Sequence, residues 1–198
     1  MKKKILVLAL AAVFVSLLAL GSAAYFTVEG RASNIITTGK VDMALHEMQQ
    51  VPGADGQLVE DAYPDQPITG VMPGRTVSKI PYVVGQEGTQ PFYTRVKVSV
   101  NVTSAEKEPL DARYITLNYD RENWEQGADG WWYYRGEIKQ GDRAALFTQV
   151  AFDPAMDNTY QNCSVQIDVS AQAVQAKNNP VPADGYTAIT GWPQENAE

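Results

Sequence analysis

The sequence predicts an all-β domain, an antiparallel sandwich or barrel, carried behind an N-terminal signal peptide. Three observations lead there. Apolar and polar residues alternate in short runs, turn-forming residues separate those runs, and helical periodicity is not found after residue 24.

The leader comes first. Met1-Lys2-Lys3-Lys4 is basic, Ile5 to Leu20 is apolar except for Ser16, and Gly21-Ser22-Ala23-Ala24 supplies small side chains. A positive end, a short apolar core and small residues that fit a peptidase pocket make a secretory signal. Ser22 and Ala24 have small-x-small spacing, which places the cut between Ala24 and Tyr25. The alternative is an uncleaved membrane anchor, for which the 16-residue apolar run is short against a span of about 20 residues. Removal of residues 1–24 leaves 174, enough for one domain with a sizeable core.

The strands follow in order. Lys40 to Leu45 and Ile80 to Val84 suit strands, and Arg95 to Val102 alternates polar and apolar throughout. Tyr114 to Tyr119 is β-branched and aromatic. It reads as one arm of a hairpin whose other arm is Trp131 to Tyr134, across the turn Gly127-Ala128-Asp129-Gly130. Ala145 to Phe152 reads as a single strand, and Ser164 to Val174 as the last. Pro52 to Pro67 is acidic and turn-rich, as in a long surface loop, and the tail 178–198 is expected to be loosely docked or disordered. The sandwich domain is therefore placed at 25–177.

Charge and chemistry narrow the function. The leader takes three of the 16 basic residues and none of the 23 acidic ones, so net charge falls from −7 to −10 on cleavage. Such a surface repels nucleic acid and anionic lipid, leaving membrane contact to the uncleaved leader. Cys163 is the only cysteine, which rules out an intramolecular disulfide. It reads as a packed strand residue, against an intermolecular bridge or reactive thiol.

His46 is the only histidine. His46-Glu47-Met48-Gln49-Gln50 resembles half of a zinc-protease helix, with Gln50 where the second ligand would stand. Glu60, Asp61 and Asp65 could supply oxygens to calcium, but their spacing fits no defined loop, and a solvated acidic face accounts for them. No metal, cofactor or catalytic centre is expected. Trp124, Trp131 and Trp132 could form a sugar-stacking platform, making a secreted carbohydrate- or surface-binding module the alternative function. The plainer reading sends one ring of the 131–132 pair into the core and lays the other over a neighbouring strand.

Three stretches together carry a resemblance. The first is Ala24-Tyr25-Phe26-Thr27 with Ala32-Ser33-Asn34 and Thr38 to Asp42. The second is Met72 to Lys79 with Pro91 to Val98. The third is Gly130 to Tyr134 with Leu146-Phe147 and Ala173 to Ala176. In this order they resemble the TasA/camelysin family over about residues 1 to 177. Val28-Glu29 and Gly85 to Gly88 depart from its pattern.

The resemblance implies a jelly-roll-like β-sandwich, exported by a Gram-positive bacterium after cleavage by a SipW-type signal peptidase. It implies a structural subunit, not an enzyme, of a biofilm matrix or surface fibre, with itself or sibling subunits as partners. Residues 25–38, with Phe26, Val28, Ile35 and Ile36, would be the strand inserted into the next subunit, or else the domain's own first strand. Camelysin's described metalloprotease role is not carried over, because one histidine cannot build a histidine-rich zinc site.

Overall fold

A computed structural model describes residues 41–64, 66–70 and 72–193, all within the unit Ala32–Glu198. Among the described residues, twelve strands account for nearly all of the regular structure. They are β1 (Met43–Pro52), β2 (Leu58–Ala62), β3 (Thr76–Ser78), β4 (Ile80–Gly85), β5 (Phe92–Thr103), β6 (Pro109–Leu110), β7 (Ile115–Leu117), β8 (Trp124–Gln126), β9 (Trp132–Tyr134), β10 (Arg143–Ala145), β11 (Gln149–Phe152) and β12 (Ser164–Gln175). Single 3-10 turns lie at Ala112–Tyr114, Asn158–Tyr160, Ala176–Asn178 and Tyr186–Ala188.

The strands form three antiparallel sheets, in the orders β10-β4-β1-β2, β3-β11-β7 and β12-β5-β9-β8, with β6 also paired to β5. They pack around one main core, a β-sandwich-like all-β arrangement.

β5 and β12 pair along their whole length, from Ser164 opposite Thr103 to Gln175 opposite Phe92. Alternation gives this long pair two unlike faces. Phe92, Val96 and Val102 of β5 and Val165, Ile167, Ala171 and Ala173 of β12 enter the main core. Tyr93 and Val174 belong instead to a second apolar cluster with Ala176 and Ile189. Arg95 stands opposite Gln172, and Lys97 opposite Ser170, in the same outward-facing set. Pro81 is tolerated inside the central strand β4. Its carbonyl accepts from Leu146 N at 3.1 Å, just past the end of β10, and its nitrogen faces the same side, where Leu146 O accepts from Asp120 N at 2.9 Å instead.

Several expectations need correction. Tyr114 to Tyr119 is not the hairpin partner of Trp131 to Tyr134. Its strand, β7, pairs with β11, while β9 folds back onto β8 across the Gly127–Gly130 turn. The reason lies at Gly130, whose φ of 81° closes a reversal short enough only for the immediately preceding residues.

Ala145 to Phe152 is two strands in different sheets, β10 and β11. Leu146 and Phe147 are consecutive and both buried, which one face of a flat strand cannot provide. Asn118 fixes the step: its Oδ1 accepts from Thr148 N (2.9 Å) and Gln149 N (2.7 Å). The stretch Pro52 to Pro67 is not all loop, since β2 forms a hairpin with β1 from Met48 opposite Ala62 to Pro52 opposite Leu58. Gly56, at φ 79°, closes that turn.

Candidate functional site

Leader and donor-strand residues Ser22, Ala24, Tyr25, Phe26, Val28, Ile35 and Ile36 lie outside the described residues. The three tryptophans are described, and they do not make an open platform. Trp124, Trp131 and Trp132 are 1%, 4% and 2% exposed. Trp132 points into the main core, stacked on Tyr119 with ring centroids 4.2 Å apart. Trp124 enters the same core and donates from Nε1 to Ala145 O at 2.8 Å. Trp131, one residue before β9, takes the opposite face.

That opposite face carries a connected polar group centred on Arg95. Its Nε and Nη2 both donate to Gln172 Oε1, at 3.0 and 2.7 Å. Nη1 donates to Tyr133 Oη at 3.1 Å and to Asp129 Oδ2 at 3.4 Å. Tyr133 Oη in turn donates to Asp129 Oδ2 at 2.6 Å. The guanidinium carbon lies 4.3 Å from the Trp131 ring centroid and 4.9 Å from that of Trp192. Burial holds the Tyr133 phenol above its ordinary range, and the bond to Asp129 adds to this, while Arg95 opposes it.

The strands explain the convergence. Arg95 on β5 is paired with Gln172 on β12 and with Tyr133 on β9. Three outward side chains therefore share one row, and the β8–β9 turn brings in Asp129. The tail completes the cluster. Ile189 is buried against Tyr93, Val174 and Ala176. Tyr186 meets Tyr93 edge-on at 5.9 Å, and Trp192 meets Tyr133 edge-on at 5.7 Å. Of the two expectations for the tail, docking is what residues 186–192 do.

Sequence reasoning missed Arg95, Asp129, Tyr133, Gln172 and Trp192 as one group. The available signal was the spaced apolar residues Tyr186, Ile189 and Trp192 in the tail, together with Arg95 on the polar phase of an alternating strand.

Elsewhere, His46 lies within strand β1, not on a helix, and stacks on Tyr82 at 5.3 Å. The zinc-protease half-motif is therefore not formed, since successive residues of a strand point to opposite faces. Lys79 is 4% exposed, and its Nζ donates to Glu47 Oε2 at 2.6 Å. Glu60 pairs with Arg143 at 2.7 Å. Asp65 is outside the described residues. Cys163 is buried, and burial raises its thiol pKa. Among the described residues, no group of three or more His, Cys, Asp or Glu is placed to hold a metal ion. No helix among them is long and apolar enough to cross a membrane.

The Arg95 cluster is a row of mutually paired groups under aromatic cover. Its chemistry is that of a docking surface: cation–π contacts, apolar packing and fixed hydrogen-bond acceptors. Comparison of the chain with protein-family models, curated proteins and solved structures gives no match.

Proposed function

We propose that this chain is an exported structural subunit of a bacterial extracellular matrix or surface fibre, and that it assembles by main-chain pairing between copies. The observation that carries the reading is the exposed edge strand β2. β2 ends its sheet with all five residues exposed, Leu58 at 64% and Val59 at 46%. Among the described residues, no strand pairs with its outer edge.

An edge of this kind is a template for another strand. Residues 25–38 of a neighbouring copy, freed by cleavage after Ala24, are the strand we assign to it. Phe26, Val28, Ile35 and Ile36 supply its apolar side chains. We also read the sandwich as jelly-roll-like, from its long-range pairings of β4 with β10, β3 with β11 and β5 with β12. The role is structural and not catalytic. A SipW-type peptidase and sibling subunits are the partners, and the surface or matrix of a Gram-positive cell is the place.

The test compares residues 25–198 with 39–198 by sedimentation and electron microscopy. The longer form is expected to polymerise into fibres and the shorter to form none. Monomeric behaviour of both under all conditions would remove the reading.

A further inference from the structure

We infer that the outer face of the β9-β5-β12 layer is a docking groove for the segment Tyr186 to Trp192, and that this segment of a second copy can replace the chain's own. Two copies would then be joined by exchanging their C-terminal straps.

Among the described residues, the strap is fastened to the sheet by side chains. The main-chain hydrogen bonds of Asn179, Gly185, Ala188 and Ile189 run to Ala176, Pro182, Gly185 and Tyr186, all local. Trp192 Nε1 also bonds locally, to Ile189 O at 2.7 Å. Among the described residues, no main-chain bond ties residues 180–192 to β5, β9 or β12. A segment held without a ladder opens at lower cost than the strands beneath it.

Its anchors have a simple spacing. Tyr186, Ile189 and Trp192 recur every third residue; the 3-10 turn covers only Tyr186–Ala188, and it is their contacts that put all three against the face. Each meets a fixed feature of the face: Tyr93 for Tyr186, Tyr93 and Val174 for Ile189, and Arg95 with Tyr133 for Trp192. The face keeps its form without the strap, because Gln172, Asp129, Tyr133 and Trp131 hold Arg95 and all belong to the sheet or its turn.

The connection between strand and strap contains Pro180 and Pro182, with Val181 exposed. Prolines favour an extended course, so a lifted strap projects away from its own groove. The chain's own strap competes at an effective concentration on the order of mM, so exchange belongs to crowded conditions such as a matrix. This route uses the opposite end of the chain from strand donation and does not depend on it.

The test uses the chain 25–198 and its Tyr186→Ala/Trp192→Ala variant, with folding checked by near-ultraviolet circular dichroism. If the double variant does not fold, Trp192→Ala alone takes its place. A fluorescent peptide of residues 184–193 is titrated against each. We expect saturable binding to the variant, and at least ten-fold weaker binding when the peptide carries Trp192→Ala. Sedimentation at rising concentration should show dimers of the parent chain that the variant does not form.

A folded variant that ignores the peptide, or that dimerises as well as the parent, overturns the inference. Association that needs residues 25–38 but not the strap also overturns it and leaves strand donation standing. Association that needs the strap but not residues 25–38 supports it and removes strand donation.

Discussion

Lys79 shows how one residue ties two sheets together. It lies between β3 and β4, donates to Glu47 on β1, and sits 3.9 Å from the ring centroid of Tyr63. Burial raises the Tyr63 phenol pKa, and the Glu47 charge raises it further. Lys79→Met should destabilise by about 1–3 kcal/mol, because it strips a partly buried carboxylate of its partner. Adding Glu47→Gln should recover most of that loss, and urea melts of the two variants measure both steps. Gly85 is constrained by space. A Cβ there would stand 2.2 Å from Lys139 O, where the 139–142 turn bonds back to the end of β4. Gly85→Ala is expected to cost about 1–3 kcal/mol, as overpacking does.

At the scale of the element, β9 separates two environments within consecutive residues. Trp132 fills the main core against Tyr119, while Trp131 roofs the outer face beneath Arg95 and 5.5 Å from Lys97 Nζ. Trp132→Ala should therefore cost about 3–5 kcal/mol through the cavity it leaves. Trp131→Ala should cost about 1–2 kcal/mol, since it forfeits a cation–π contact and a cover. Thermal or urea melts rank the two, and equal losses would contradict the inside–outside assignment. The aromatic groups on the outer face lie toward the Tyr93 end of β5. At the other end, Ser99, Asn101, Gln166 and Asp168 stay polar, with Asn101 Nδ2 donating to Asp168 Oδ2 at 3.1 Å. The strap rests on the apolar half.

Across the whole molecule, pH dependence reports the packing of tyrosines. Tyr63, Tyr93, Tyr119, Tyr133 and Tyr160 all have phenols raised above 10.0, in each case chiefly by burial. Unfolded phenols ionise at the ordinary value, while folded ones resist. Their contribution to stability is whole below 10.0 and is lost as pH rises from there through the folded values. Urea midpoints measured from about pH 8 to about pH 11 should fall steeply at the upper end. A flat profile would mean that these rings are not packed as described. On the acid side the sign reverses. Asp120 is held below its ordinary 3.8 first by the Asn123 side chain, so its share is present above that value and lost as pH falls below it.

What the sequence determined by itself was local. Alternation in β5 and β12 is a consequence of covalent geometry, so their extent and their two faces were legible, as was the turn at Asp129-Gly130. Pairing was not legible, because nothing in Tyr114 to Tyr119 says which distant strand will meet it. Only the folded chain joined β7 to β11, broke Ala145 to Phe152 at the doubly buried Leu146-Phe147, and found a partner for β2. The candidate site divides along the same line. Three tryptophans were visible as large aromatics, but whether a ring is open or covered depends on residues far away in sequence. Trp192 and Arg95 lie far apart along the chain, and only tertiary packing brings them within 4.9 Å.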